Sequence, residues 1–357
     1  MSRLVFYHPA PEWDGLARVY LEVGKALAAR GVTVAMACPE QSEVEAACGS
    51  IETLAVDDRG SWMTNRARLS GILREFGSDA VVVAGDDAHL LAAWAANRAN
   101  RGAVFRRMRT GVATPVTVRT KLAVRLAPTW FVHSSAAEAK ASEPVTRLRG
   151  RIIADVAIDT AQFERVQAAP TPIGTSTIAI VTDQESQRAT AAALRTVASM
   201  RSRGHPVRAL LLGTPHDMNE VRVHATALGL GDSLSLLGNP IDRAPLLAAA
   251  DLVWVAADHD DGGIAVLDAM ALGCPVIATR GTMAERYVKH GETGVIAERD
   301  DALASAALIT LLQADSAHLR EMGDAAQAEV RARRGLSTVA EAYMTVLQEA
   351  AVAQVAA

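Results

Sequence analysis

Lysine is nearly missing from this chain. Only Lys25, Lys121, Lys140 and Lys289 are lysines among 36 cationic residues. That bias toward arginine reflects genome composition more readily than function. Aromatic residues are also scarce, at 4%, so the cores of a 357-residue chain must be built from Ala, Val and Leu. Three cysteines, Cys38, Cys48 and Cys274, show neither metal-ligand nor disulfide-framework spacing, which fits a reduced, cytoplasmic setting. Cys274, between a glycine and a proline, reads as a small buried residue. No apolar run approaches the roughly 20 residues of a membrane span. No signal peptide is visible, because Arg3-Leu4-Val5-Phe6-Tyr7 leads straight into a polar loop. Net charge is only −4, which argues against a general nucleic-acid binder.

What is present is globular: 50% hydrophobic and 21% charged residues. The length exceeds what one core usually serves, so two domains are expected. Short apolar runs alternate with helical periodicity. Residues 3–8, 32–37, 51–56, 79–84 and 103–105 read as strands, and a helix over 16–30 joins the first two, giving a βαβ unit and a parallel sheet. Residues 167–176, rich in Pro, Gly and Thr, read as a linker. A second strand series follows at 177–181, 207–212, 234–238, 252–255 and from 276. The expected division is 1–165, a linker at 166–176, and 177–335.

The most informative stretch is 251–298. Leu252-Val253-Trp254-Val255 is a buried parallel strand. A polar loop follows, Asp258-His259-Asp260-Asp261-Gly262-Gly263. Ile264 to Leu272 reads as a helix, ended by Gly273 and Pro275. Glycines let a backbone approach a phosphate, and a helix N-terminus offers unpaired N–H groups and positive dipole. Asp268 could accept two hydrogen bonds from a ribose diol, and Asp260 could face a sugar beyond the phosphates. The plainer reading of such acids is N-capping and solvation.

Order and spacing here resemble the donor segment of retaining GT-B glycosyltransferases of the family 4 type, Glu-Gly-Phe-Gly, four residues, Glu-Ala-Met-Ala-x-Gly-x-Pro-Val-Ile. Gly263, Ala269, Met270, Ala271, Gly273, Pro275, Val276 and Ile277 match; Asp260 and Asp268 replace the two glutamates. Asp is one methylene shorter, so each carboxylate retracts by roughly 1.5 Å. Gly281 to Glu285 and Gly291-Glu292-Thr293-Gly294 continue the resemblance, as does Ile158-Asp159-Thr160 with Phe163.

The resemblance implies a GT-B fold, two Rossmann-like parallel-sheet domains facing a cleft, with a C-terminal helix, 336–357, returning to the N-terminal domain. It implies transfer of a sugar from a nucleotide-sugar to an acceptor, with retention and without metal or separate cofactor. Asp260 would face the donor sugar. Asp268, Gly262, Gly263, Ile264, Gly213 and Arg188 would bind the donor, Arg188 standing for the family's diphosphate lysine. Gly15, Arg18 and Arg109 are the acceptor-side candidates; Arg18 reads equally as an exposed helix residue. Two departures stand out. Asp183 occupies the place of the family's diphosphate arginine, and Arg109-Thr110-Gly111 lacks the expected histidine. A non-catalytic GT-B protein that binds a nucleotide or glycan, or supports a partner enzyme, is the competing reading. Between residues 88 and 137 no acid occurs, but Arg98, Arg101, Arg106, Arg107, Arg109, Arg119, Lys121 and Arg125 do. The block 98–125 suits an anionic acceptor or peripheral contact with the inner membrane face, or else forms dispersed solvated faces.

Overall fold

The computed structural model describes residues 2–57, 62–108, 117–133, 139–140, 150–152, 157–172, 174–183, 186–213, 215, 217–238, 240, 242–257, 260–299 and 301–355. The chain forms two compact units. One holds residues 1–157 and 336–357, the other 158–335. The first crossing therefore falls at 157/158, ahead of the Pro-rich 166–176. That segment lies within the second unit, where Ala169 N–H donates to Pro245 O at 2.9 Å. Its composition signals irregular backbone, which a tethered surface segment satisfies as well as a linker does.

Among the described residues the first unit contains seven parallel strands: β1 (Arg3–Tyr7), β2 (Thr33–Pro39), β3 (Glu52–Val56), β4 (Ala80–Ala84), β5 (Ala103–Arg107), β6 (Thr129–His133) and β7 (Gly150–Ile152). Their spatial order is β3-β2-β1-β4-β5-β6-β7. Helices α1 (Gly15–Ala28), α2 (Glu43–Cys48), α3 (Trp62–Glu75), α4 (Asp86–Ala99) and α5 (Val118–Leu126) make the crossovers. Strands β1 and β4 are almost fully buried, as a parallel sheet covered on both faces requires.

In the second unit, α6 (Thr160–Phe163) precedes six parallel strands: β8 (Ser176–Val181), β9 (Val207–Leu212), β10 (Leu234–Gly238), β11 (Leu252–Val255), β12 (Val276–Thr279) and β13 (Val295–Ala297). Their order is β10-β9-β8-β11-β12-β13. Helices α7 (Gln187–Ser202), α8 (Met218–Ala227), α9 (Ala244–Ala248), α10 (Asp260–Ala271), α11 (Ala302–Ala314) and α12 (Ser316–Arg334) surround them. The core is aliphatic, with Trp254 as its one fully buried indole among the described residues; its Nε1–H donates to Thr279 Oγ1 at 2.9 Å.

Helix α13 (Leu336–Val355) belongs to the first unit and packs on α1. Val339, Ala340, Tyr343, Val346, Leu347 and Ala350 form its buried stripe, at the spacing of one helical face. Burial pushes the Tyr343 phenol above its ordinary value, and the nearby Arg107 charge pulls it part of the way back.

Candidate functional site

A doubly wound sheet opens a crevice where consecutive strands diverge in opposite directions. In the second unit that point lies between β8 and β11. In chain order, β8 is followed by α7 and β11 by α10. Two helix N-termini therefore open at the same edge of the sheet, each with unpaired N–H groups.

Helix α10 starts at Asp260, four residues earlier than its sequence suggests. Asp260, Asp261 and Gly262 thus belong to its first turn, not to the preceding loop; the Asp260 side chain lies outside the described residues. Acids in a first turn complement the helix dipole. Gly263 and every residue from Ile264 to Ala271 are buried. Gly263 has a packing reason to be glycine. A Cβ there would meet Tyr287 Cε2 at 2.9 Å, and Arg334 lies over the other part of this contact with Cζ 4.6 Å from the Tyr287 ring centroid.

Asp268 lies eight residues after Asp260, roughly two turns into the helix rather than one. Its side chain is only 2% exposed, and Arg243, just before α9, brings Nε to 3.4 Å from Asp268 Oδ2. Buried carboxylates need such a partner. Nothing in the linear spacing flagged Arg243, which is 25 residues away and reaches Asp268 because α9 packs on α10.

Gly213 ends β9 with φ +111°, and a Cβ there would sit 1.9 Å from Thr182 O. Thr182 N–H donates to Leu212 O, joining the β8 and β9 ends, and Gly213 N–H donates to Gly238 O at the end of β10. Asp183 follows on the β8 loop. Its carboxylate accepts a short hydrogen bond from Ser186 Oγ at the head of α7, so it has a turn-forming task. Arg188, the second residue of α7, is exposed. It lines a groove of about 630 Å³ between α7 and α8, with Leu194, Asp217, Glu220 and His224; none of the lining residues belongs to α10. Cys274 is buried, its thiol donating to Leu247 O and pushed up to about 12 by desolvation.

In the first unit the strand divergence lies between β1 and β4. Gly15 is the first residue of α1, N-capped by Asp14, whose carboxylate accepts from Ala17 N–H at 2.8 Å. Arg18 lies in that first turn, partly buried, and engaged. Arg109 is outside the described residues. Two features escaped sequence reasoning. His8, 2% exposed, places its ring nitrogens 3.0 Å from Ala10 O and from Asp14 Oδ1. That contact and two N–H donors hold the Asp14 carboxyl below its ordinary value against the opposing effect of burial. Behind β5, Arg106 is 3% exposed and binds Asp86, Thr120 Oγ1 and His89 Nδ1.

The basic block consequently does not form one surface. Arg106 and Arg107 are buried, and Arg119 pairs with Asp87. Among the described residues, Arg98 and Arg101 at the end of α4 are exposed, and helix α5 presents Arg119, Lys121 and Arg125 beside exposed Val118 and Leu122. Among the described residues no single helix is long and apolar enough to cross a membrane.

The family model described as Glycosyl transferases group 1 matches residues 177–329, inside the second unit. The chain is 26% identical over 137 residues to the lipopolysaccharide core biosynthesis glycosyltransferase LpsE of Rhizobium meliloti, covering 38% of this chain and 40% of that protein. It is 30% identical over 138 residues to the N-acetyl-alpha-D-glucosaminyl L-malate synthase of Bacillus anthracis, covering 38% and 36%. The matches thus span well under half the length of these relatives. In structure it is similar to Anabaena Alr3699/HepE, solved with UDP and glucose, with a TM-score of 0.80 at 17% identity over 98% of this chain and 100% of that one. Residues 177–329 of the second unit are therefore similar to the glycosyl transferases group 1 family, and the chain has the GT-B fold.

Proposed function

We propose that the protein transfers a sugar from a nucleotide-sugar donor to an acceptor, with retention at the anomeric carbon and no separate cofactor. The observation that carries this reading is the divergence point of the second sheet, where α7 and α10 open together above a buried, arginine-paired Asp268. The donor diphosphate belongs at the two helix N-termini, next to the backbone of Gly262 and Gly263 and the end of β9 at Gly213. Arg188 adds positive charge from the head of α7. The ribose belongs at the Asp268 end and the donor sugar at Asp260. Stabilising the departing diphosphate is the main electrostatic task, since an oxocarbenium-like centre develops as it leaves. UDP-sugars are the first donors to try, because the neighbour Alr3699/HepE was solved with UDP and glucose.

The acceptor side belongs to the first unit, at the β1 and β4 ends near Gly15 and Arg18. Helix α5 supplies the surface for peripheral contact with an anionic membrane face, in keeping with a cytoplasmic enzyme. The second reading is a non-catalytic member of the family. It is favoured by Asp183, a carboxylate beside the proposed diphosphate, although its engagement by Ser186 lessens the conflict.

The test is calorimetric titration with UDP-, GDP- and ADP-sugars, followed by an assay for donor hydrolysis. Binding with slow hydrolysis supports the transferase. Binding with no turnover in any acceptor screen favours the second reading, and no binding at millimolar concentration removes the donor site.

A further inference from the structure

The pair Asp268–Arg243 is lopsided. The Asp268 side chain is 2% exposed, whereas the Arg243 side chain is 16% exposed. Only Nε is turned toward Asp268, at 3.4 Å. Among the described residues, the two terminal nitrogens of Arg243 make no hydrogen bond, and neither is a buried orphan. They are donors open to solvent. A carboxylate can accept from a diol only if its oxygens reach the surface. With Asp in place of Glu the carboxylate is withdrawn by roughly 1.5 Å, and one of its oxygens already faces Nε.

We infer that Arg243, rather than Asp268, is the group that meets the ribose of the donor nucleotide in this chain. Asp268 holds the guanidinium by its Nε edge, and the opposite fork of Nη1 and Nη2 donates to the ribose hydroxyl oxygens. The planar guanidinium suits both tasks at once, since it presents five donors in fixed directions. The polarity of recognition is thereby reversed, from a carboxylate accepting to a guanidinium donating. Asp268 becomes the positioning residue. This inference rests on the donor site proposed above.

The test uses UDP, GDP and ADP, and the 2′-deoxy form of whichever binds best, titrated against wild type, Arg243→Lys, Arg243→Ala and Asp268→Asn. Wild type should prefer the ribonucleotide by about tenfold, the scale of one charge-assisted hydrogen bond. Arg243→Lys keeps a positive charge beside Asp268, and with it the fold, but has no fork. Its preference should fall to within about twofold. Arg243→Ala should do the same, and Arg243→Lys carries the result if the alanine variant melts early. Asp268→Asn keeps an acceptor for Nε and should retain most of the preference. The inference is overturned if Asp268→Asn abolishes the preference while Arg243→Lys preserves it, because the carboxylate then reads the diol directly. It is also overturned, with the donor site left standing, if wild type binds both forms equally. If none of the three diphosphates binds wild type at millimolar concentration, the donor site and the inference fail together.

Discussion

His89 is a buried base that the fold keeps neutral down to about pH 3. It is fully buried in α4, and Arg106 Nη1 donates to its Nδ1 at 3.1 Å. Nε2 therefore carries the proton and faces Thr129 Oγ1 at 3.2 Å. Burial and the Arg106 charge push its pKa down to about 3, against a smaller upward pull from Asp86. A lowered histidine pKa means that the unfolded chain binds the extra proton between about pH 6.5 and pH 3. Stability should thus fall as pH drops through that window, by at most about 1.4 kcal/mol per pH unit from this group. Glutamine offers the same acceptor and donor without titrating. Thermal melts of His89→Gln should show a flatter dependence on pH from 6.5 to 4 than wild type; parallel curves would refute the assignment. Gly213 makes a steric prediction of the same local kind. At φ +111° with Thr182 O in the place of a Cβ, Gly213→Ala should cost on the order of 3 kcal/mol, read from denaturant unfolding. A loss under about 0.5 kcal/mol would mean that the β8 and β9 ends relax freely.

Helix α10 shows why elements are legible while their limits are not. The run Ala269-Met270-Ala271 with Gly273 and Pro275 announces a helix and its end. Asp260-Asp261-Gly262-Gly263 reads as loop, since each glycine costs a helix about 1 kcal/mol. Packing overrides propensity: Gly263 admits the Tyr287 ring, and the turns after it are buried on all sides. Strands β7 and β13 were not legible because each has three residues, too few to show a period. Asp268 was legible because it sits inside a motif. Arg243 and the His8–Asp14 contact were not, because each depends on how two elements or a loop pack. The Tyr287 contact is testable at this scale. Gly263→Ala should destabilise the second unit by about 1–2 kcal/mol, and the loss should shrink in Tyr287→Ala. A double-mutant cycle with coupling below about 0.5 kcal/mol would place the strain elsewhere.

Across the whole molecule, the chain leaves the first unit after Ala157 and returns at Leu336. Ile158 N–H donates to Arg334 O at 2.8 Å, so the two crossings run side by side. Each unit has its own core and its own strand-divergence point, which makes the proposed division of labour separable by measurement. A donor nucleotide bound to the folded protein at a hundred times its Kd should stabilise it by about 2.7 kcal/mol. Hydrogen exchange should locate that protection. UDP-glucose, or whichever donor the titrations select, should slow exchange in the second unit, over 182–190 and 256–268, where two helix N-termini meet the sheet. The loop at 8–14 and the start of α4 at 85–89 in the first unit should change little until an acceptor is added. Protection confined to the first unit would assign the nucleotide to the wrong sheet here. Protection in the second unit with no response of the first to any acceptor, paired with no turnover, would make this chain a nucleotide-binding GT-B protein whose acceptor half has lost its task.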